Sequence, residues 1–170
     1  MPDFSLEAEI YKKGYNNIAG VDEAGRGSWA GPVVSAAVIF LEEKWTKIIK
    51  SGIADSKKLP PKRRQDLSKF IENNAYVGVG LASNQEIDEI NILESTRNAM
   101  RSAVAMASSQ VDGAVGVLLV DGHLRLPKYD GTQWALVKGD SRSWSIAAAS
   151  IIAKVTRDEM MKEYHSQYPE

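Results

Sequence analysis

Gly20-Val21-Asp22-Glu23-Ala24-Gly25-Arg26-Gly27-Ser28-Trp29-Ala30-Gly31-Pro32 is the stretch from which the rest of the chain is read. An apolar run, Ile18 to Val21, leads directly into two adjacent carboxylates. A glycine-rich turn with one arginine follows, and then a second apolar run from Val33 to Leu41. In a regular strand Asp22 and Glu23 point to opposite faces. For both to serve one site the strand has to end or bend there, which Gly25 and Gly27 permit. Most hairpins turn in two residues, whereas this connection is long, glycine-rich and charged, and loops of that kind often carry function.

The chain has 170 residues, of which 44% are hydrophobic, enough for one good core, so a single domain spanning 1–170 is expected. A formal net charge of −1 supplies no global attraction to polyanions, so any such binding needs a local patch. Cysteine is absent, which excludes disulfides and thiolate metal sites and agrees with a cytoplasmic location. Met1 to Ile10 is acidic and has no apolar core of the signal-peptide kind. The longest apolar runs fall short of the roughly 20 residues of a membrane helix. With only His123 and His165 available, a metal here takes carboxylate ligands, which suits hard cations.

In chain order, Ile18–Val21 and Val33–Leu41 read as strands, the second apolar on both faces and therefore central in a sheet. Glu42 to Ser51 is a short helix or a loop. Pro60 and Pro61 suit a helix start, and Leu67, Phe70 and Ile71 carry helical spacing to about Asn73. Lys57, Lys58, Lys62, Arg63 and Arg64 cluster at that start, either as a solvated face or as a phosphate-contacting patch. Tyr76–Ala82 reads as a strand, Gln85–Ile90 as a short helix capped by Ser83 or Asn84, and Asn91 to Ser108 as a longer helix. Gly116–Val120 and Trp134–Val137 read as fully buried strands, ending in Asp121-Gly122 and in Lys138-Gly139-Asp140. From Ser143 the pattern is helical and apolar nearly all round, with alanines that permit close packing on a sheet; farther on, Lys154 and Asp158 share a face. This order predicts a layered α/β or α+β domain.

Three apolar strands thus end in acids: Asp22-Glu23, Asp121 and Asp140. Ligands of open α/β sheets sit beyond strand ends. Carboxylates gathered there raise one another's pKa unless a cation relieves them, and oxygen-only ligation points to Mg²⁺ or Mn²⁺. Two such ions are a common apparatus for phosphodiester cleavage.

The residues that carry a family resemblance are Gly20 to Val34, Asp55-Ser56-Lys57-Lys58-Leu59, Val120-Asp121-Gly122, and Lys138-Gly139-Asp140 with Ser145 to Asp158. In that order they resemble the ribonuclease HII family, from about Ile18 to the end of the chain. The resemblance implies an α/β, RNase H-like fold with a mixed central sheet flanked by helices. It implies an endoribonuclease that cleaves the RNA strand of RNA–DNA hybrids and nicks 5′ of ribonucleotides embedded in duplex DNA, leaving a 3′-hydroxyl and a 5′-phosphate. Position by position, Asp22, Glu23 and Asp121 match the family's metal-binding acids and Asp140 its fourth catalytic carboxylate. Gly25-Arg26-Gly27 matches the loop that senses the ribose 2′-hydroxyl. Lys57, Lys58, Ser143 and Ser145 are candidate contacts to the nucleic-acid backbone. The expected cofactor is Mg²⁺ or Mn²⁺, with two ions in the substrate complex. The expected partners are hybrid and ribonucleotide-containing duplex, with no membrane, and the expected state is a monomer.

Other residues are read more plainly. Asp158 is expected in a salt bridge to Lys154 or Arg157, with catalysis as the alternative; Trp29 and Trp144 in packing, with stacking on a base or a sugar as the alternative; and His123 in a turn, with help to a departing proton as the alternative. Chains of the family continue beyond a Tyr-Pro such as Tyr168-Pro169 into a segment with a Gly-Tyr-Gly element. The expectation is therefore a C-terminally truncated form, with a hybrid-binding form of little or no turnover as the alternative. A two-carboxylate glycoside hydrolase leaves the Gly-Arg-Gly loop and the basic helix start unexplained.

Overall fold

A computed structural model describes residues 2–53 and 59–169. Its sheet has the order β3-β2-β1-β4-β5, formed by β1 (Ile18–Ala24), β2 (Val33–Ile39), β3 (Tyr76–Ala82), β4 (Val117–Asp121) and β5 (Thr132–Leu136). The first three strands are antiparallel neighbours, and β4 and β5 continue from β1 in parallel. The helices are α1 (Ser5–Lys12), α2 (Trp45–Ser51), α3 (Pro61–Glu72), α4 (Asn84–Ile90), α5 (Ile92–Ser108) and α6 (Trp144–Gln167). The expected α/β arrangement, a mixed central sheet flanked by helices, is met.

The apolar β2 is buried along its whole length between β1 and β3. Its two faces feed separate cores. Ala36 and Val38 pack with the alanines of α6, whereas Ala37 and Ile39 pack with Met100 and Ala103 of α5. Both helices lie close because the strands beneath them lack side chains at the crossing points. A Cβ at Gly20 would stand 2.2 Å from the Ser145 carbonyl carbon, and one at Gly80 would stand 1.9 Å from the Ala99 oxygen. The alternating glycines of Tyr76–Ala82 are thus a seat for α5.

The open reading of 42–51 resolves into a 3-10 turn, Glu42–Lys44, followed by α2. Ser83 caps α4 by accepting from the Glu86 amide, and Asn91 caps α5 through Leu93 and Glu94. The strand expected at Trp134–Val137 starts earlier, at Thr132, and is half-buried rather than fully buried. It is the edge of the sheet, so one side has no neighbour to cover it, and Val137 beyond its end is 48% exposed.

Helix α1 has no counterpart in the sequence reading. Its anchor is Phe4, which stacks on Trp45 with ring centroids 4.4 Å apart and also touches Phe40 and Trp144. Glu7, acidic and therefore expected in solvent, is buried against the start of α6. There it accepts from Ser143 Oγ at 2.7 Å and from the Ser145 amide at 3.1 Å. The N-terminus of α6 favours a negative partner. Even so, burial outweighs these bonds and holds the Glu7 carboxyl above the usual glutamate range. The folded protein therefore binds this proton more tightly than the unfolded chain does. Glu7 favours folding fully below the unfolded value, and that contribution fades as pH rises through the folded one. Glu7→Gln, which carries no charge, is expected to flatten that part of the curve of unfolding midpoint against pH, gaining on the parent as pH rises. Parallel curves for the two proteins would contradict the assignment.

Candidate functional site: a carboxylate cleft beside a glycine loop

The parallel pairing of β1 and β4 sets Val21 opposite Val120. The next residue on each strand is an acid, so Asp22 and Asp121 stand side by side where that pairing ends; β1 itself does not stop at Val21 as expected but carries Asp22 and Glu23 within it to Ala24, paired with β2. Asp121 also pairs with Leu136, from which the chain runs through Lys138 into a 3-10 turn, Gly139–Ser141, carrying Asp140. The Gly139 amide donates to Asp121 Oδ1 at 2.6 Å and ties that turn to β4. A Cβ at Gly139 would lie 2.6 Å from Ile146 Cδ1 and 3.1 Å from the same Asp121 oxygen.

Asp22 is buried, and its carboxyl is held well above the usual aspartate range. Burial is the largest cause, followed by the charges of Asp121 and Glu23 and, more weakly, of Asp140. The Glu23 amide opposes them by donating to Asp22 Oδ1 at 2.7 Å. The four acids expected from the strand ends therefore share one electrostatic neighbourhood. They are not arranged as a ligand set: among the described residues, no three His, Cys, Asp or Glu side chains stand in position to hold a metal ion. Asp22 and Asp121 turn an oxygen to backbone amides, and Glu23 faces Arg26 at 3.8 Å.

A cleft of about 340 Å³ opens over these groups. Asp22, Glu23 and Asp121 line it together with residues 25–28, so the acids and the Gly-Arg-Gly loop share one space. Asp140 stands apart from that lining, buried in its turn. The opposite wall is α6, through Ser150, Lys154 and Arg157. Sequence reasoning gave none of these three a place in the site. Their spacing of four and then three is the helical signal that puts them on one face. A larger groove, about 590 Å³, lies between α3 and the far half of α6. The one carboxylate in its lining is Asp158, which already pairs with Lys154 at 2.5 Å, as expected, and with Arg64 at 3.6 Å. The smaller cleft is the candidate site because it holds the acids.

Arg157 was expected beside Asp158 as a possible ion-pair partner. It is instead buried, donating from Nε to the Pro32 carbonyl at 3.0 Å and from Nη2 to the Ala30 carbonyl at 2.9 Å. The loop carries positive φ at Gly25 (+103°) and Gly31 (+85°), where a side chain is strained. At Gly25 a Cβ would also meet Arg157 Nε at 2.3 Å. The glycines thus let the loop wrap a guanidinium, and the guanidinium holds the loop's shape. Arg157→Ala is expected to free it, so that limited trypsin digestion cuts after the exposed Arg26 markedly faster than in the parent. Unchanged cleavage at that bond, located by mass spectrometry, would contradict the clamp.

Several expected contacts are placed elsewhere. Ser143 and Ser145 are fully buried and face inward. Ser143 Oγ accepts from the Ile146 amide as the cap of α6 while donating to Glu7, so the helix start serves α1 rather than a phosphate. Lys57 and Lys58 lie outside the described residues. At the basic helix start, Arg63 donates to the Ser51 carbonyl and Arg64 to the Leu59 carbonyl, so both serve their own chain. Trp144 packs as expected, with its indole N–H donating to the Pro2 carbonyl. Trp29 does not pack: its side chain is fully in solvent at 105% exposure, because the loop's anchors hold it away from any core. His123 is exposed in the turn after β4.

Comparison with known proteins places this architecture. The profile of the ribonuclease HII family matches residues 19–170. A ribonuclease HII of Fusobacterium nucleatum is 48% identical over 161 residues, covering 95% of this chain and 74% of that protein. A ribonuclease H2 of Pyrococcus horikoshii superposes with a TM-score of 0.74 at 32% identity, over 91% of this chain and 78% of that one. The ribonuclease HII of Archaeoglobus fulgidus, solved in complex with PCNA, gives 0.74 at 28% identity, over 90% of this chain and 77% of that one. Sequence profile, close relative and superposed folds agree with the strand-end acids and the glycine loop, and the chain belongs to the ribonuclease HII family.

Proposed function

We propose that this chain is an endoribonuclease that cuts the RNA strand of RNA–DNA hybrids and nicks duplex DNA on the 5′ side of an embedded ribonucleotide. The observation that carries the reading is the single cleft shared by Asp22, Glu23, Asp121 and the loop at 25–28. It joins acids suited to phosphodiester hydrolysis with a backbone able to approach a sugar.

The donor chemistry fits Mg²⁺ or Mn²⁺. The acids are all-oxygen donors; the Asp22 carboxyl is raised first by burial and then by the charges of Asp121, Glu23 and Asp140, and that repulsion is what a hard cation relieves. Asp22, Glu23 and Asp121 would hold the metal on turning from their present partners, which include backbone amides and Arg26. Bound there, such ions neutralise phosphate charge and lower the pKa of an attacking water. Asp140 adds negative charge from its turn and would orient the water. Gly27, with nothing within 4 Å of its Cβ position, leaves room for a ribose hydroxyl, the group that separates RNA from DNA. Arg26 presents a planar fork to a phosphate oxygen. Lys154 lines the opposite wall, with its ammonium paired to Asp158.

The test is incubation with duplex DNA containing one ribonucleotide, with Mg²⁺ or Mn²⁺ and then with EDTA. Metal-dependent nicking 5′ of the ribonucleotide, with 3′-hydroxyl and 5′-phosphate ends, is the expected result. Asp121→Asn should lose nicking and keep the fold. Binding of the duplex without any nicking would replace the enzyme by a hybrid-binding protein.

A further inference from the structure

Trp29, the residue after the cleft-lining Ser28, is a feature the proposed chemistry does not use. Of the chain's four tryptophans, Trp144 is buried and Trp45 and Trp134 are half-buried, whereas Trp29 is fully exposed. A lone exposed apolar side chain is ordinary on a mobile segment. Here the backbone around it is held. The Ser28 amide closes a turn onto the Gly25 carbonyl at 3.0 Å. Beyond Trp29, Arg157 grips the Ala30 and Pro32 carbonyls, and Gly31 sits with its Cβ position 2.5 Å from Met161 Sδ. The indole is therefore presented from a fixed point, next to Ser28, which lines the acid cleft.

From these observations, and resting on the ribonuclease reading above, we infer that Trp29 is a substrate-contacting residue that lies against sugar rings and base edges in the minor groove of the bound duplex. The groove follows from the loop. A backbone that approaches a 2′-hydroxyl works from the minor groove, because in A-like duplexes that groove is wide, shallow and lined by those hydroxyls. Trp29 stands two residues after Gly27 on the same anchored loop and so addresses the same groove. The indole suits that surface: its flat face covers apolar sugar carbons, and its Nε1–H donates to a minor-groove acceptor or a ribose oxygen. The contact is to surface every nucleotide presents, so it adds affinity without base specificity.

Tryptophan emission and steady-state kinetics test this together, on duplex DNA containing one ribonucleotide. In the Asp121→Asn background, which allows binding without turnover, added duplex should shift and quench the emission and shield it from acrylamide. The same protein with Trp29→Ala should lose that response. In the otherwise native chain, Trp29→Ala should raise KM about tenfold, the scale of one aromatic contact to nucleic acid, with kcat within about twofold. Trp29→Phe should recover most of the KM, and the melting temperature should not move in either variant. An unchanged KM in Trp29→Ala, with emission that ignores the duplex while the native chain still nicks it, overturns the inference and leaves the ribonuclease reading standing. A native chain that neither binds nor nicks the duplex overturns both. Loss of self-association in Trp29→Ala at unchanged KM assigns the indole to a second copy instead, and also overturns the inference.

Discussion

Asp22→Asn is expected to abolish cleavage, by about a thousandfold or more given the several kcal/mol a metal centre supplies to such a reaction, while making the metal-free protein more stable at neutral pH. The two effects have one cause. Asp22 is buried beside Asp121 and Glu23, and its carboxyl is pushed well above the usual range. The folded chain therefore holds that proton more tightly than the unfolded chain, whose aspartates titrate near about pH 4. Below that value both states are protonated and the folded protein pays no charge penalty. As pH rises through the raised folded value, ionising Asp22 in place costs stability, which the uncharged asparagine avoids. Urea midpoints without metal should thus favour Asp22→Asn at pH 7 and converge with the parent in acid. Added Mg²⁺ should raise the parent's midpoint, since a ligand that binds only the folded state stabilises it, and leave the variant's nearly unmoved. A variant that is active, or less stable than its parent at neutral pH, would remove Asp22 from the centre of the site.

Gly20→Ala is expected to cost about 3 kcal/mol or more, or to prevent folding, although it adds one methyl group. That methyl would stand 2.2 Å from Ser145 C and 2.3 Å from Ile146 N. Both are backbone atoms in the first turn of α6, so no side-chain rotation relieves the clash. The helix would have to lift from β1, and with it the wall that carries Ser150 and Lys154 across from the acids. Gly27→Ala is the control, because nothing lies within 4 Å of its Cβ position. Urea denaturation of the three proteins decides the matter: a midpoint for Gly20→Ala equal to that of Gly27→Ala would refute the close seat.

What the sequence disclosed and withheld follows one physical line. Apolar runs followed by acids are local, and they were legible: Asp22 and Asp121 follow the paired Val21 and Val120, although β1 does not end at its acids as expected but runs on through Glu23 to Ala24. The centrality of β2 was legible too, since a strand apolar on both faces needs cover on both. Which strand is the sheet's edge is not a local property, and β5 was read as more buried than it is. Ser143 and Ser145 sit at a helix start, a natural place for a phosphate. Their actual partner, Glu7, lies 136 residues from Ser143 and shows no trace near it in the sequence. Arg157 is the same case, since its bonds to the loop span 125 and 127 residues. Trp29 was assigned to packing by its chemistry alone, and only the anchored loop around it explains its exposure.

The seal of α1 over the start of α6 also has a consequence in time. Phe4 and Glu7 meet Trp144, Ser143 and Ser145 only after the chain between them exists. At ribosomal speeds of about 5–20 residues per second, that wait is on the order of ten seconds. Throughout it the aromatic face of Phe4 lacks part of its native cover, and α1 has no helix start to cap. The sheet can begin to order from β1 to β3 in that interval. The closure that brings α6 down on β1, completes the acid cleft and clasps the loop through Arg157 is a late, long-range event. Contacts of such sequence separation carry a loop-closure cost that local helix formation does not.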